Sequence, residues 1–120
     1  MPRPVQLNAI RGPGRTTTPG RSVESQLRVY RIAPGHIDDF VGAWTAGVLP
    51  LRRKFGFEMD AWTEVDGDRF VWLVRWRGPG SLADADAGYY ASTERLALEP
   101  DPAQWIVSND TFDLRDVTGG

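Results

Sequence analysis

Polar and apolar positions alternate over residues 25–33, SQLRVYRIA, with Leu27 and Val29 on one face and Arg28, Tyr30 and Ile32 on the other. A period of two with β-favouring residues predicts a strand, and Pro34-Gly35 ends it. The period then changes. Ile37, Phe40, Val41, Trp44 and Val48 fall at i, i+3, i+4, i+7 and i+11, one apolar stripe of a helix. Asp38 and Asp39 in the first turn and Arg52, Arg53 and Lys54 at the far end complement the helix dipole. Gly56 supplies a stop. Pro50 has no N–H for the carbonyl of Ala46, so a kink or break is expected there.

Residues 57–65, FEMDAWTEV, and 69–77, RFVWLVRWR, read as two strands joined by the tight turn DGD at 66–68. In the second of them Phe70, Trp72, Val74 and Trp76 face one way, and Val71, Leu73, Arg75 and Arg77 the other. Both faces are partly apolar, so both are expected to be covered. After the GPGS loop at 78–81, Ser81 and Asp84 have capping-box spacing, with Asp in place of Glu. Leu82, Ala85, Tyr89, Ser92 and Leu96 then follow a helical period. Gly88 weakens that helix by about 1 kcal/mol relative to Ala. Asp101-Pro102 can cap a further short turn, and DTFDLRDV at 110–117 is the last strand. The order β-α-β-β-α-β over 25–117 predicts an α+β, ferredoxin-like domain: an antiparallel sheet with helices on one face. The other sheet face also carries bulky residues and needs a cover, which a second copy could supply.

Outside that domain the pattern vanishes. Residues 1–24 are rich in Pro, Gly, Arg and Thr and show no period, so a disordered tail is expected. Its Arg- and Thr-rich, acid-poor character faintly resembles a transit peptide, but a plain tail or an upstream start is the simpler reading. Residues 118–120 form a short C-terminal end. No apolar stretch matches a secretory signal or the ~20 residues of a membrane span, so a cytoplasmic protein without membrane contact is expected.

Composition narrows the chemistry. The 120 residues, 41% hydrophobic and 25% charged, fit one globular domain. There is no cysteine and one histidine, which argues against thiolate chemistry, disulfides and a zinc or iron site; neither metal nor cofactor is expected. Net charge is −2, yet Arg3, Arg11, Arg15 and Arg21 stand in an acid-free N-terminal segment. The remainder is therefore acidic and repels a phosphate backbone, so no nucleic-acid partner is expected.

Several residues could carry chemistry. Arg28 and Tyr30 share a strand face; the arginine could hold a carboxylate, phenolate or enolate and the tyrosine could relay a proton. His36, at a helix start, is either a general base or a surface residue whose cationic form the dipole disfavours. Tyr89 lies on the helix stripe beside Tyr90, and if buried its hydroxyl needs a partner. Trp44, Trp62, Trp72 and Trp76, with Trp105, make the chain tryptophan-rich, suited to stacking a flat apolar ligand or to filling a core. The basic run 52–54 is a small anion site or a solvated helix end. No phosphate loop, dinucleotide fingerprint or Ser-His-Asp pattern is present.

Leu27, Arg28 and Tyr30 on a strand, Pro34-Gly35, then Pro50, Arg52, Arg53, Gly56 and Phe57, followed by Trp62 and Trp72, form a sequence of features that resembles the NIPSNAP-like branch of the dimeric α/β-barrel superfamily. The resemblance covers nearly all of 25–117. It implies a homodimer whose two sheets form a barrel, and a pocket in each protomer between helices and sheet. Activities in the wider superfamily include cofactor-independent oxygenation of aromatic polyketides, polyketide cyclisation, lactone isomerisation and haem breakdown. Haem-degrading members carry their histidine within a helix, whereas His36 stands at a helix start. The expectation is a small-molecule enzyme performing cofactor-independent cyclisation, rearrangement or oxygenation of a planar, polyketide-like substrate in bacterial secondary metabolism. Its polar groups would be Arg28, Tyr30, His36 and Tyr89, and its substrate walls Trp44, Trp62, Trp72 and Trp76. The alternative is a non-catalytic homodimeric module that binds a ligand or a protein.

Overall fold

The computed structural model describes residues 23–118. Residues 1–22 of the tail expected at 1–24, and the last two residues, lie outside the described residues. Strand β1 (Glu24–Ile32) is followed by helix α1 (Ile37–Ala43), a π-turn (Trp44–Val48) and helix α2 (Leu49–Lys54). Next come β2 (Glu58–Thr63), β3 (Arg69–Trp76), α3 (Leu82–Ala91), α4 (Thr93–Leu96), a short 3-10 turn (Pro102–Trp105) and β4 (Ile106–Leu114). The sheet order is β2-β3-β1-β4 with every neighbouring pair antiparallel. This is the α+β, ferredoxin-like architecture the alternation of periods predicts.

Register puts the two faces of the sheet where the period-two reading has them. Arg28 pairs with Trp72 and Tyr30 with Phe70, so these four side chains share the helix-facing side. Leu27 pairs with Leu73, and Val29 with Val71, on the outward side. The inner face and the helices enclose one core of Tyr30, Ile32, Phe40, Trp44, Val48, Phe57, Phe70, Trp72, Val74, Leu82 and Tyr89.

Four local expectations change. First, the helix does not break at Pro50. The Leu49 N–H bonds the Trp44 carbonyl five residues back, so the turn before Pro50 is widened and the helix runs on to Lys54. The wide turn accommodates a residue that cannot donate. Second, the later helix stops at Ala91. Ser92 adopts an extended backbone, donates to the Tyr89 carbonyl and accepts the Arg95 N–H, ending α3 and capping α4. Leu96 consequently points outward, 73% exposed. Third, β4 begins at Ile106, four residues earlier than the apolar pattern suggests, because it pairs with β1 along nearly its whole length. Fourth, Glu24 belongs to β1 rather than to the tail, and its carboxylate accepts the Leu82 N–H at the start of α3.

The turn chemistry follows the sequence closely. Ser81 Oγ accepts the Asp84 N–H at 3.0 Å, and Asp101 Oδ1 accepts the Ala103 N–H at 2.9 Å. Gly56 ends α2 at φ +100°, a region where an L side chain is strained. No described helix is long and apolar enough to cross a membrane.

Candidate functional site

Two arginines meet beneath the helices. Arg28, on β1, reaches Asp86 Oδ1 at 3.2 Å and donates through Nε to Gln26 Oε1 at 2.7 Å. Arg52, from α2, donates to the same Asp86 oxygen at 2.7 Å. The three side chains are held by three elements, and Arg52 is fully buried. Its Nε and Nη2 have no hydrogen-bond partner. Aromatic faces surround it instead: the guanidinium carbon lies 4.0 Å from the Tyr89 ring centre, 4.7 Å from Phe57 and 5.1 Å from both Trp72 and Tyr90. Cation–π attraction gains strength in such desolvated settings. Two cations share one carboxylate, so this cluster carries a formal excess of one positive charge.

Beside it lies a cavity of about 70 Å³ between the helices and the sheet. Its inner wall is Tyr30, Phe40, Trp44, Val48, Trp72 and Tyr89, and its outer part is Tyr90, Arg95, Pro102, Ala103 and Ile106. Tyr90 and Ala103 are exposed, which places the mouth on their side. The π-turn presents both Trp44 and Val48 to this space. Arg95 is fastened to Asp101 at 3.0 Å. Several lining side chains keep an unused hydrogen-bonding atom: Trp44 Nε1, Trp72 Nε1, the Tyr89 hydroxyl and Arg95 Nε are buried without a partner. Two near approaches fall short of hydrogen-bond geometry, Trp72 Nε1 beside the Tyr30 hydroxyl and the Tyr89 hydroxyl beside the Arg52 guanidinium. Burial pushes the Tyr30 phenol above its ordinary range and Tyr90 adds to this, against an opposing pull from Arg28. Burial likewise raises Tyr89, opposed by Arg52 and Arg95. Both phenols therefore stay protonated at neutral pH, as donors rather than bases.

No family model matches the chain, and no curated protein matches it. Solved structures do. A NIPSNAP domain protein from Burkholderia xenovorans superposes with a TM-score of 0.70 at 16% identity, covering 82% of this chain and 98% of its own. A NIPSNAP family protein from Agrobacterium tumefaciens gives 0.71 at 12% identity, over 83% and 90%. An antibiotic biosynthesis monooxygenase-like protein from Nitrosomonas europaea gives 0.62 at 13% identity, over 81% and 92%.

The chain shares its ferredoxin-like fold with these NIPSNAP proteins.

Within this NIPSNAP-type fold, four of the residues singled out by sequence line the cavity: Tyr30, Trp44, Trp72 and Tyr89. Arg28 stands behind Trp72, 5.1 Å from its ring centre, in the ion cluster. The other three lie elsewhere. His36 is half-exposed, bonds Asp39 at 3.0 Å and stacks on Trp105 at 6.0 Å. Trp62 is 54% exposed on the outward sheet face, paired with Val71. Trp76 packs on Phe57 and donates to the Pro79 carbonyl.

Two site residues, Asp86 and Arg95, escaped the sequence reading of this fold, and two more were named without being chosen: Tyr90 beside Tyr89, and Arg52 within the run 52–54. Arg52 was visible only as part of a basic run, and the solvated-helix-end reading fails for it, while Arg53 and Lys54 are exposed. Asp86 had a usable signal. It stands four residues after Leu82 and three before Tyr89, on the buried stripe of α3, where a lone acid demands a cation.

Proposed function

We propose that this chain is a cofactor-independent small-molecule enzyme. It acts on a planar, largely apolar, polyketide-like substrate by cyclisation, rearrangement or oxygenation, in bacterial secondary metabolism. The observation that carries this reading is the aromatic-walled cavity between helices and sheet, with two neutral phenols inside it. Trp44 and Trp72 would stack the substrate, and Tyr30 and Tyr89 would donate to oxygen as charge develops on it. Arg28 would act from behind Trp72 by fixing its ring. Such a site works by positioning and by pre-aimed donors rather than by a strong nucleophile. The fold likeness to antibiotic biosynthesis monooxygenase-like proteins supports the same reading. The cavity is smaller than the ~150 Å³ that admits benzene in an engineered core, so a substrate must displace the mouth residues Tyr90 and Ala103. A homodimer in the cytoplasm belongs to this proposal, with the outward sheet face as its interface.

Turnover assays of the purified protein on aromatic polyketide anthrones and linear polyketides test it. Tyr30→Phe is expected to lower kcat about a hundredfold without unfolding the protein. Absence of any turnover by the folded parent protein would overturn the enzyme reading.

A second reading rests on a specific observation: among the described residues, those lining the cavity include neither an acid nor a histidine to serve as a general base. On this reading the chain is a homodimeric binding module, and ligand binding without turnover is the expected result.

A further inference from the structure

Every hydrogen-bonding atom left over around the cavity carries a proton to give, and only the Tyr89 hydroxyl can also accept. Trp44 Nε1 and Trp72 Nε1 can only donate, and so can Arg95 Nε. The Tyr89 hydroxyl adds another proton to give. Trp44, Trp72 and Tyr89 are each more than nine-tenths buried, at 4%, 1% and 0% exposure. No carboxylate lines the cavity to receive these donors among the described residues. A buried donor without an acceptor costs about 1–3 kcal/mol, so a cluster of them in one small space is an unusual arrangement for a packed core.

Charge runs the same way. Behind the wall, Arg28 and Arg52 share the single carboxylate of Asp86. At the outer end Arg95 is balanced by Asp101. The site therefore keeps one positive charge in excess, close behind the Trp72 and Tyr90 rings. A buried charge without a counter-charge is strongly disfavoured unless something supplies one.

We infer that the cavity recognises an anion, the carboxylate of a planar aromatic acid, whose oxygens accept from Arg95 Nε and from the Trp44 indole while its ring passes outward along Tyr90. This rests on the reading of the cavity as a small-molecule site and adds the charge of the ligand to it. The volume of about 70 Å³ suits the carboxylate end of such a molecule, with the ring reaching the mouth. The ligand's charge offsets the excess of the Arg28–Asp86–Arg52 cluster, and its acceptors fill the donor set. A neutral amide of the same shape brings no charge to offset the excess, and only the phenol oxygens of Tyr30 and Tyr89 in the wall can take its NH₂ protons.

The test is equilibrium binding of benzoate and of benzamide to the full chain, followed by calorimetry and by fluorescence of the wall tryptophans. Benzoate is expected to bind at least tenfold more tightly than benzamide, and added salt to weaken benzoate alone. Arg95→Gln is expected to weaken benzoate by about tenfold to a hundredfold and to leave benzamide unchanged. Trp44→Phe keeps the ring and removes the donor, and is expected to cost several-fold for benzoate only. Equal affinity for benzoate and benzamide would overturn the anion assignment and leave the small-molecule cavity standing. Binding of neither by the folded protein would overturn both. A benzoate affinity untouched by both Arg95→Gln and Trp44→Phe would place the anion elsewhere and overturn the assignment.

Discussion

The two faces of the sheet are built from the same strands and are nearly equally apolar in sequence, yet they end in opposite states. The inner face, through Arg28, Tyr30, Ile32, Phe70, Trp72 and Val74, is buried by the chain's own helices. The outer face, through Leu27, Val29, Val71 and Leu73, is only partly buried, and Trp62, Phe112 and Leu114 around it are 54%, 51% and 44% exposed. The inner face also holds the unusual polar groups, where the low dielectric makes each unpaired donor and each charge count. The outer face pairs its charges at the rim: Arg75 with Asp60 at 3.0 Å and Arg77 with Glu58 at 2.8 Å. One face is thus organised to hold polar groups out of water, and the other leaves apolar surface facing it. The proposed homodimer would cover this apolar surface.

The largest expected effect breaks the inner face. Asp86→Ala removes the carboxylate between two buried guanidiniums and should cost about 3–5 kcal/mol, seen as a lowered urea midpoint. The double variant Asp86→Ala with Arg52→Met should recover most of that loss. A failure to recover would mean that the carboxylate stabilises the fold by something other than charge.

Next comes the outer face. Leu73→Glu, at its centre, should convert the proposed dimer to a monomer in light scattering while the far-UV spectrum stays that of the parent. A parent protein that already runs as a monomer would remove the second copy from the picture and leave the exposed face unexplained.

The smallest effect separates the buried phenols from the rest of the inner face. Tyr89 has its pKa raised by burial, so the folded state holds its proton longer than the unfolded chain does. The stability it contributes is complete below about pH 10, the unfolded value, and is lost as pH rises toward the folded one. Tyr89→Phe should therefore flatten the fall in stability above about pH 10 and change neutral-pH stability by less than about 1 kcal/mol. An unchanged alkaline profile would show that Tyr89 does not titrate with unfolding.

The sequence was most legible where a local period decides structure. The grouping of Arg28, Tyr30 and Ile32 on one strand face and of Phe40, Trp44 and Val48 on one helix stripe follows from repeats of 2.0 and 3.6 residues, and the structure buries both groups. The caps at Ser81 and Asp101 and the stop at Gly56 are equally local, since each concerns atoms within a few residues. Misreadings arose where a non-local partner wins. β4 starts at Ile106 because β1 supplies a ladder there. The stop of α3 at Ser92 is local instead, one hydroxyl serving Tyr89 and Arg95 three residues to either side, a signal the apolar stripe masked.

The amino-acid sequence by itself determined the order of elements, which residues of β1 and β3 share a face, and that the fold would be ferredoxin-like, because these depend on spacing along one chain; which of the two faces looks inward was left to the tertiary structure. Only the tertiary structure decided that Arg52 is buried while Arg53 and Lys54 next to it are exposed, that Asp86 is the carboxylate between Arg28 and Arg52, and that Trp44, Trp72, Tyr89 and Arg95 line one cavity while each keeps a buried polar atom without a partner. Charge pairing and cavity lining join residues tens of positions apart. The physical quantity that sets them is distance through space, which no local period encodes.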